Sequence, residues 1–252
     1  MGDERFEREQ AFFDASSTAQ FEAEPPPPSH HVERLMELLG DPTGLRILDC
    51  GCGAGELALE LTPRARQVAA FDLSVESVRL MHARAGMLGR PRPDGFASVM
   101  ERLPFPDETF DAVIGKSILH HVDVDAAMEE VRRVLVPGGR GIFIENQVTN
   151  PLLRFARNQL TGRFGIARLG TIDEHPLVAA DYERIAQRYG GQMRLHYPDF
   201  RFFGLFSRNV LRYERALWLA RALGQADEAI YRRMPRMRRF GYHVIVEVRR
   251  PH

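Results

Sequence analysis

The sequence predicts an α/β fold, a doubly wound and mostly parallel sheet of seven strands. Three observations carry the prediction. Between residues 46 and 146, short apolar runs alternate with stretches of helical periodicity, which places helices on both faces of a parallel sheet. The first apolar run ends in ILDCGCGAGE, a glycine-rich turn that feeds directly into a helix. The run GYHVIVEVRR alternates strictly, with Val244, Val246 and Val248 on one face and Ile245, Glu247 and Arg249 on the other.

In chain order, residues 3–24 are acidic and carry Phe6, Phe12, Phe13 and Phe21, so they read as an amphipathic helical arm. The prolines of Pro25–Ser29 end it, because consecutive prolines hold an extended backbone and donate no hydrogen bonds. His30–Leu39 repeats apolar residues at helical spacing and stops at Gly40. RILDC is a strand and GELALELTPRA begins a helix. QVAAFDL is a strand, followed by the helix SVESVRLMHARAGML with Ser74 as its N-cap. GFASVM is a weak strand and FDAVIGKS a good one. DVDAAMEEVRRVLVPGG reads as a helix closed by Pro-Gly-Gly, and RGIFIEN as the next strand. Residues 151–177 read as irregular and arginine-bearing. A helix over about 178–189, a strand QMRLHYPDFRFF and a helical insertion over 204–237 precede the last strand. The organisation expected is an N-terminal arm or lid (1–40), a ligand-binding core (41–150), and a C-terminal part of the same domain (151–252). Its two elaborations, 151–177 and 204–237, would select the partner.

At 252 residues, with 44% hydrophobic and 27% charged residues, the composition is that of a soluble globular protein. The net charge of zero hides an asymmetry: residues 1–150 carry −10 and residues 151–252 carry +10. A basic surface offered to an acidic partner and mutual attraction of the two halves both account for it. Two cysteines two positions apart exclude a disulfide framework. MGDERFEREQ lacks the pattern of a secretion signal, and no apolar run approaches the roughly 20 residues that span a bilayer. The location expected is cytoplasmic.

The glycines at 51, 53 and 55 lie where a doubly wound sheet binds its ligands, at the carboxyl end of the first strand. Glycine permits positive φ and close backbone approach, and nicotinamide, flavin and nucleotide sites all use such turns. Two features narrow the choice. The Lys-Ser/Thr pair of a phosphate-cradling loop is absent, and Asp49 ahead of the glycines suits a cationic ligand better than a pyrophosphate. Asp72 closes the second strand, where a carboxylate accepts ribose hydroxyls.

With these residues in place, the chain resembles the class I S-adenosylmethionine-dependent methyltransferases, in particular the small-molecule "methyltransferase type 11" group. The matching segments are ILDCGCGAGELALEL, AAFDLSVESVRLM, ERLPFPDETFDAVIGKSILHHV and VRRVLVPGGRGIFIE, over about residues 45–146. The resemblance implies a Rossmann-like fold and S-adenosyl-L-methionine as cofactor, with S-adenosyl-L-homocysteine as product. It implies that Asp49 lies near the methionine amino group and that the turn Gly51, Cys52, Gly53 and Gly55 passes beneath the methionine and ribose. Asp72 would hold the ribose hydroxyls and Leu73 would pack on adenine. Where the family usually reads Asp-Ala-Glu, this chain has Val99, Met100 and Glu101, so adenine recognition is expected from the Met100 backbone, with Glu101 as a substitute. Lys116 follows the fourth strand, within reach of the cofactor carboxylate or the substrate. Cys50 and Cys52 are expected to be bystanders.

Methyl transfer is a direct displacement that requires alignment and, for a hydroxyl acceptor, a base. His120, His121 and Glu145 are the candidates at the mouth of the site; packing and helix capping are the competing roles. His175 could join His121 and Glu145, but nothing in the spacing demands a metal, and none is expected. Motifs for nucleic-acid bases are absent, so no nucleic-acid partner is expected. A small-molecule or lipid-like acceptor is. Phe12, Phe13 and Phe21 of the arm, Arg154, Arg157, Arg163 and Arg168, and Phe203, Phe206, Tyr213 and Trp218 beside Arg208, Arg212 and Arg215 would suit an apolar acceptor with an anionic group. The same surface also reads as a homodimer face, or as a membrane-surface contact. The alternative to a catalyst is a scaffold or regulatory protein that binds the cofactor without turnover.

Overall fold

The computed structural model describes residues 6–14, 30–159, 175–200, 202–203 and 217–252. Its centre is a seven-stranded sheet: β1 (Arg46–Cys50), β2 (Gln67–Asp72), β3 (Asp94–Ala97), β4 (Phe110–Lys116), β5 (Leu135–Asn146), β6 (Met193–His196) and β7 (His243–Arg249). The order is β3-β2-β1-β4-β5-β7-β6. The first five strands pair in parallel, and β7 enters antiparallel between β5 and β6. The strand order reverses at β1, so a crevice opens at the carboxyl ends of β1 and β4.

The helices are α1 (residues 6–14), α2 (His30–Leu39), α3 (Glu56–Leu61), α4 (Val75–Met87), α5 (Val124–Val134), α6 (Pro151–Gln159), α7 (Ala179–Arg188) and α8 (Leu217–Arg233). Strand side chains alternate between two cores. Ile47, Ala70, Ile114, Ile144 and Ile245 pack under α2, α3 and α4; Leu48, Phe71, Val113, Phe143, Val244 and Val246 pack under α5 and α7. No helix among the described residues is long and apolar enough to cross a membrane.

Local chemistry sets the boundaries. Helix α3 lasts only six residues because Pro63 has no N–H to return to Leu59. The freed Leu59 carbonyl accepts instead from Arg90 at 2.6 Å and from the Thr62 hydroxyl at 3.4 Å. Ser74 caps α4 as its sequence predicts, its hydroxyl accepting from Ser77 N at 3.0 Å.

Three expectations need correction. Leu135–Gly139 is not the end of a helix but the start of β5: Val136 precedes a proline and is driven to an extended backbone, and Leu135 pairs with Phe110. Residues 151–159 are not irregular but helical; the Asn150 side chain accepts from Leu152 N at 2.9 Å, and Pro151 occupies the first helical position. Strand β6 covers only Met193–His196, and Pro198 follows it. Phe21, Arg163, Arg168, Phe206, Arg208, Arg212, Tyr213 and Arg215 lie outside the described residues, as does the side chain of Arg157. Trp218 and Arg154 are exposed, and Phe203 is half-buried.

Candidate functional site

Between β1 and α3 the chain must turn sharply. Gly51, Gly53 and Gly55 all take positive φ (66°, 49° and 86°). Cys52 N donates to the Phe71 carbonyl and Gly53 N to Asp72 Oδ2, both at 2.8 Å, which binds the turn to the end of β2. The glycines serve different ends. A Cβ on Gly55 would lie 2.5 Å from Met81 Cγ, whereas one on Gly53 would meet no atom within 4 Å and would project into open space.

Asp49 is buried in β1. Its Oδ2 accepts from Ala58 N at 3.0 Å, while Oδ1 is buried without a hydrogen-bond partner among the described residues. Burial lifts its pKa to about 8 against the pull of the Ala58 hydrogen bond, with the charges of Asp72 and Glu56 adding to the rise. A buried carboxyl with a vacant acceptor site is suited to receive a positive charge. Asp72 accepts from Gly53 N and, at 2.9 Å, from Ser74 N. Burial raises its pKa too, and the charge of Asp14 adds to the rise.

A cavity of about 290 Å³ is framed by Gly51, Gly53, Asp72 and Leu73, by Val99, Met100 and Glu101, and by Lys116, Ser117 and His121. Helix α1 supplies the remaining wall through Phe6, Glu9 and Phe13, and Asp14 at its end accepts from the Ser74 hydroxyl. Ser74 therefore touches both the helix over the cavity and the carboxylate within it.

After β4 the backbone is strained, with Ser117 at φ 57°. Buried Glu145 holds this turn: Oε1 accepts from Ile118 N (2.9 Å) and Leu119 N (2.7 Å), and Oε2 from His120 Nδ1 (2.7 Å). The rings of His120 and His121 are 4.2 Å apart, and His121 reaches the cavity. There Phe13 meets it edge-on at 5.3 Å, and the buried Glu9 carboxylate lies 3.5 Å from its Nδ1.

Of the residues the sequence singles out, Gly51, Gly53, Asp72, Leu73, Met100, Glu101, Lys116 and His121 line one cavity. His120 and Glu145 stand behind it, and Gly55 packs toward Met81. The Lys116 ammonium is paired with Glu56 at the start of α3. Glu101 accepts from Asp123 N at 3.0 Å. His175 donates its backbone N–H to the His120 carbonyl, and its side chain is exposed. Burial pushes the thiols of Cys50 and Cys52 well above their ordinary range, so neither is a ready nucleophile. Sequence reasoning missed Glu9, Asp14, Ser98 and Ser117. The two acidic residues arrive from a separate helix, and Ser117 directly follows Lys116 at the end of β4.

The model of a methyltransferase domain matches residues 48–143. Over that segment the chain is similar to the class I S-adenosylmethionine-dependent methyltransferases. UbiE of Desulfotalea psychrophila, a ubiquinone/menaquinone biosynthesis C-methyltransferase, is 32% identical over 164 residues, 62% of each chain. The uncharacterized methyltransferase YcgJ of Bacillus subtilis is 34% identical over 102 residues, 40% of each chain. The matches thus span 40% to 62% of the length of these two relatives. The crystal structure of YcgJ superposes with a TM-score of 0.61 at 20% identity, covering 89% of this chain and 100% of that one. The geranyl diphosphate C-methyltransferase of Streptomyces coelicolor, crystallised with Mg2+, geranyl diphosphate and S-adenosyl-L-homocysteine, superposes at 0.57 with 20% identity, covering 87% of this chain and 78% of that one. At that identity the likeness is one of fold.

The residues present fit the family's cofactor. Asp49 offers a buried, unfilled acceptor for an ammonium group, Gly53 leaves the space a side chain would occupy, and Asp72 presents a carboxylate beside an apolar wall.

Proposed function

We propose that this chain methylates a small, largely apolar acceptor that carries an anionic group. The observation that carries the reading is that Gly51, Gly53, Asp72, Phe13 and His121 line one cavity, with the unfilled acceptor of Asp49 buried in the strand that leads into the glycine turn. S-adenosylmethionine, when bound, supplies a sulfonium-borne methyl group that is already electrophilic. The chain's own residues hold and align. Asp49 pairs with the ammonium group, the Gly51–Gly55 turn lets backbone pass close beneath, and Asp72 accepts the ribose hydroxyls. Leu73, Val99 and Met100 form the apolar side on which a purine ring packs.

On the acceptor side, His121 takes up a proton where the acceptor is a hydroxyl. His120 and Glu145 act through it as positioning residues, fixing the strained turn that presents it. Helix α1 lays Phe6 and Phe13 over the same space and excludes water. The anionic character is supported by the +10 charge of residues 151–252. It is also in keeping with the geranyl diphosphate bound by one structural neighbour, and the apolar character is in keeping with the quinone pathway named for one relative.

The test has two stages. Calorimetry should give micromolar S-adenosylmethionine binding that Asp72→Ala weakens at least tenfold; an unchanged Kd in that variant refutes the assignment. Labelled methyl donor is then offered with demethylated quinols, prenyl diphosphates and carrier-bound acids. Cofactor binding with no methylation of these or of a whole-cell extract would establish the non-catalytic scaffold instead.

A further inference from the structure

Away from the cavity, three segments distant in sequence converge on one largely buried point. His31 lies in the first turn of α2, Asp199 follows β6, and His243 opens β7. His31 Nε2 lies 2.7 Å from Asp199 Oδ2, and His243 Nδ1 lies 3.1 and 3.2 Å from the two Asp199 oxygens. The two imidazole rings are 4.0 Å apart. One ligand atom from each residue falls within 4.8 Å of the others. The side chains are 9%, 15% and 17% exposed.

The position follows from the sheet. His243 pairs with Asn146 at the carboxyl end of β5, the end at which the cavity opens. Its parity along β7 is that of Ile245, which faces α2, whereas Glu145 and His120 belong to the opposite face. The cluster therefore lies on the opposite face of the sheet from Glu145 and His120. Its backbone is built to bring the aspartate in: a Cβ on Gly241 would lie 2.7 Å from the Asp199 carbonyl, so only glycine allows that approach.

We infer that His31, Asp199 and His243 bind one divalent transition-metal ion of the zinc class, clasping α2 to the β6–β7 edge. Two neutral imidazole nitrogens and one carboxylate oxygen are a donor set that zinc takes in tetrahedral sites, with a fourth position left for water. At metal–ligand distances of about 2.1 Å, tetrahedral donors stand about 3.4 Å apart. The observed nitrogen–oxygen distances of 2.7 and 3.1 Å need to open by about 0.7 and about 0.3 Å to admit the ion. Without an ion, both facing nitrogens must carry protons directed at one carboxylate; the ion replaces these protons.

The test uses the full chain, stripped with chelator and titrated with Zn2+ and with Co2+. The expected result is one ion per chain, a visible Co2+ band of four-coordinate intensity, and a thermal midpoint that rises with Zn2+. Asp199→Asn, His31→Gln and His243→Gln should each weaken Zn2+ binding at least a hundredfold, while S-adenosylmethionine affinity stays within twofold. Equal Zn2+ affinity in wild type and Asp199→Asn overturns the inference. So does the absence of a four-coordinate Co2+ band in the wild type, a readout that does not depend on any variant folding.

Discussion

Two glycines two positions apart should fail in opposite ways when given a methyl group. At Gly55 an added Cβ would sit 2.5 Å from Met81 Cγ and 3.0 Å from Leu59 Cγ, at a φ of +86°. The left-handed backbone costs alanine about 1–2 kcal/mol, and overpacking adds about 1–3 kcal/mol. Gly55→Ala should therefore lose roughly 2–5 kcal/mol, a fall in Tm of roughly 5–15 °C for a chain of this size. At Gly53, φ is +49° and nothing lies within 4 Å, so Gly53→Ala should lose only about 1–2 kcal/mol. The new methyl of Gly53→Ala enters the space assigned to the cofactor. Its S-adenosylmethionine affinity should fall at least tenfold, about 1.4 kcal/mol, whereas folded Gly55→Ala should bind within about threefold of wild type. Thermal melts and calorimetry on the same preparations read both effects. Wild-type affinity in Gly53→Ala would refute the placement of the cofactor over the turn. Destabilisation of Gly53→Ala equal to that of Gly55→Ala would refute the packing argument.

Asp49 makes stability depend on pH. Its folded pKa of about 8 exceeds the ordinary 3.8, so as pH rises the unfolded chain ionises first and the cofactor-free protein loses stability between about pH 4 and pH 8. The slope is at most about 1.4 kcal/mol per pH unit, and Asp49→Asn should remove it; urea melts at pH 5 and pH 8 showing the same slope in both proteins would refute the reading. Because pairing with an ammonium group requires the ionised form, cofactor affinity should rise from pH 6 to pH 8, and a flat calorimetric profile would count against the pairing. Glu145→Ala leaves the Ile118 and Leu119 amides without their acceptor. At about 1–3 kcal/mol for each, the loss should be roughly 2–6 kcal/mol; a variant within 1 kcal/mol of wild type in urea would show that Glu145 does not hold the turn.

The sheet was legible because its signals are local. Strand and helix periodicities, the Ser74 cap and the glycine turn each lie within a few residues of the element they specify. The misreadings are also local, and each has a physical cause. Asn150-Pro151 is a helix start, cap then first-turn proline, that arginine-rich surroundings obscured. Val136-Pro137 looks like a helix stop, yet the constraint on the residue before proline favours a strand just as well. In the site, Asp49 and Asp72 could be placed from sequence because the crossover at β1 fixes both. Glu9 against His121, Asp14 on Ser74 and the His31–Asp199–His243 cluster depend on contacts between segments far apart in the chain, and no periodicity encodes those.

The strand order also constrains how the chain folds. Strand β6 joins the sheet only through β7, and β7 reaches back about a hundred residues to pair with β5. Strand β6 cannot find its register until a later strand has been laid down ahead of it. Loop closure over that separation must precede the contacts that stabilise it, which places this edge among the slow steps of assembly. Until β7 docks, the Phe143 and Ile144 faces of β5 are open on that side. The half-formed sheet then exposes an apolar edge strand, the species in which misassembly begins.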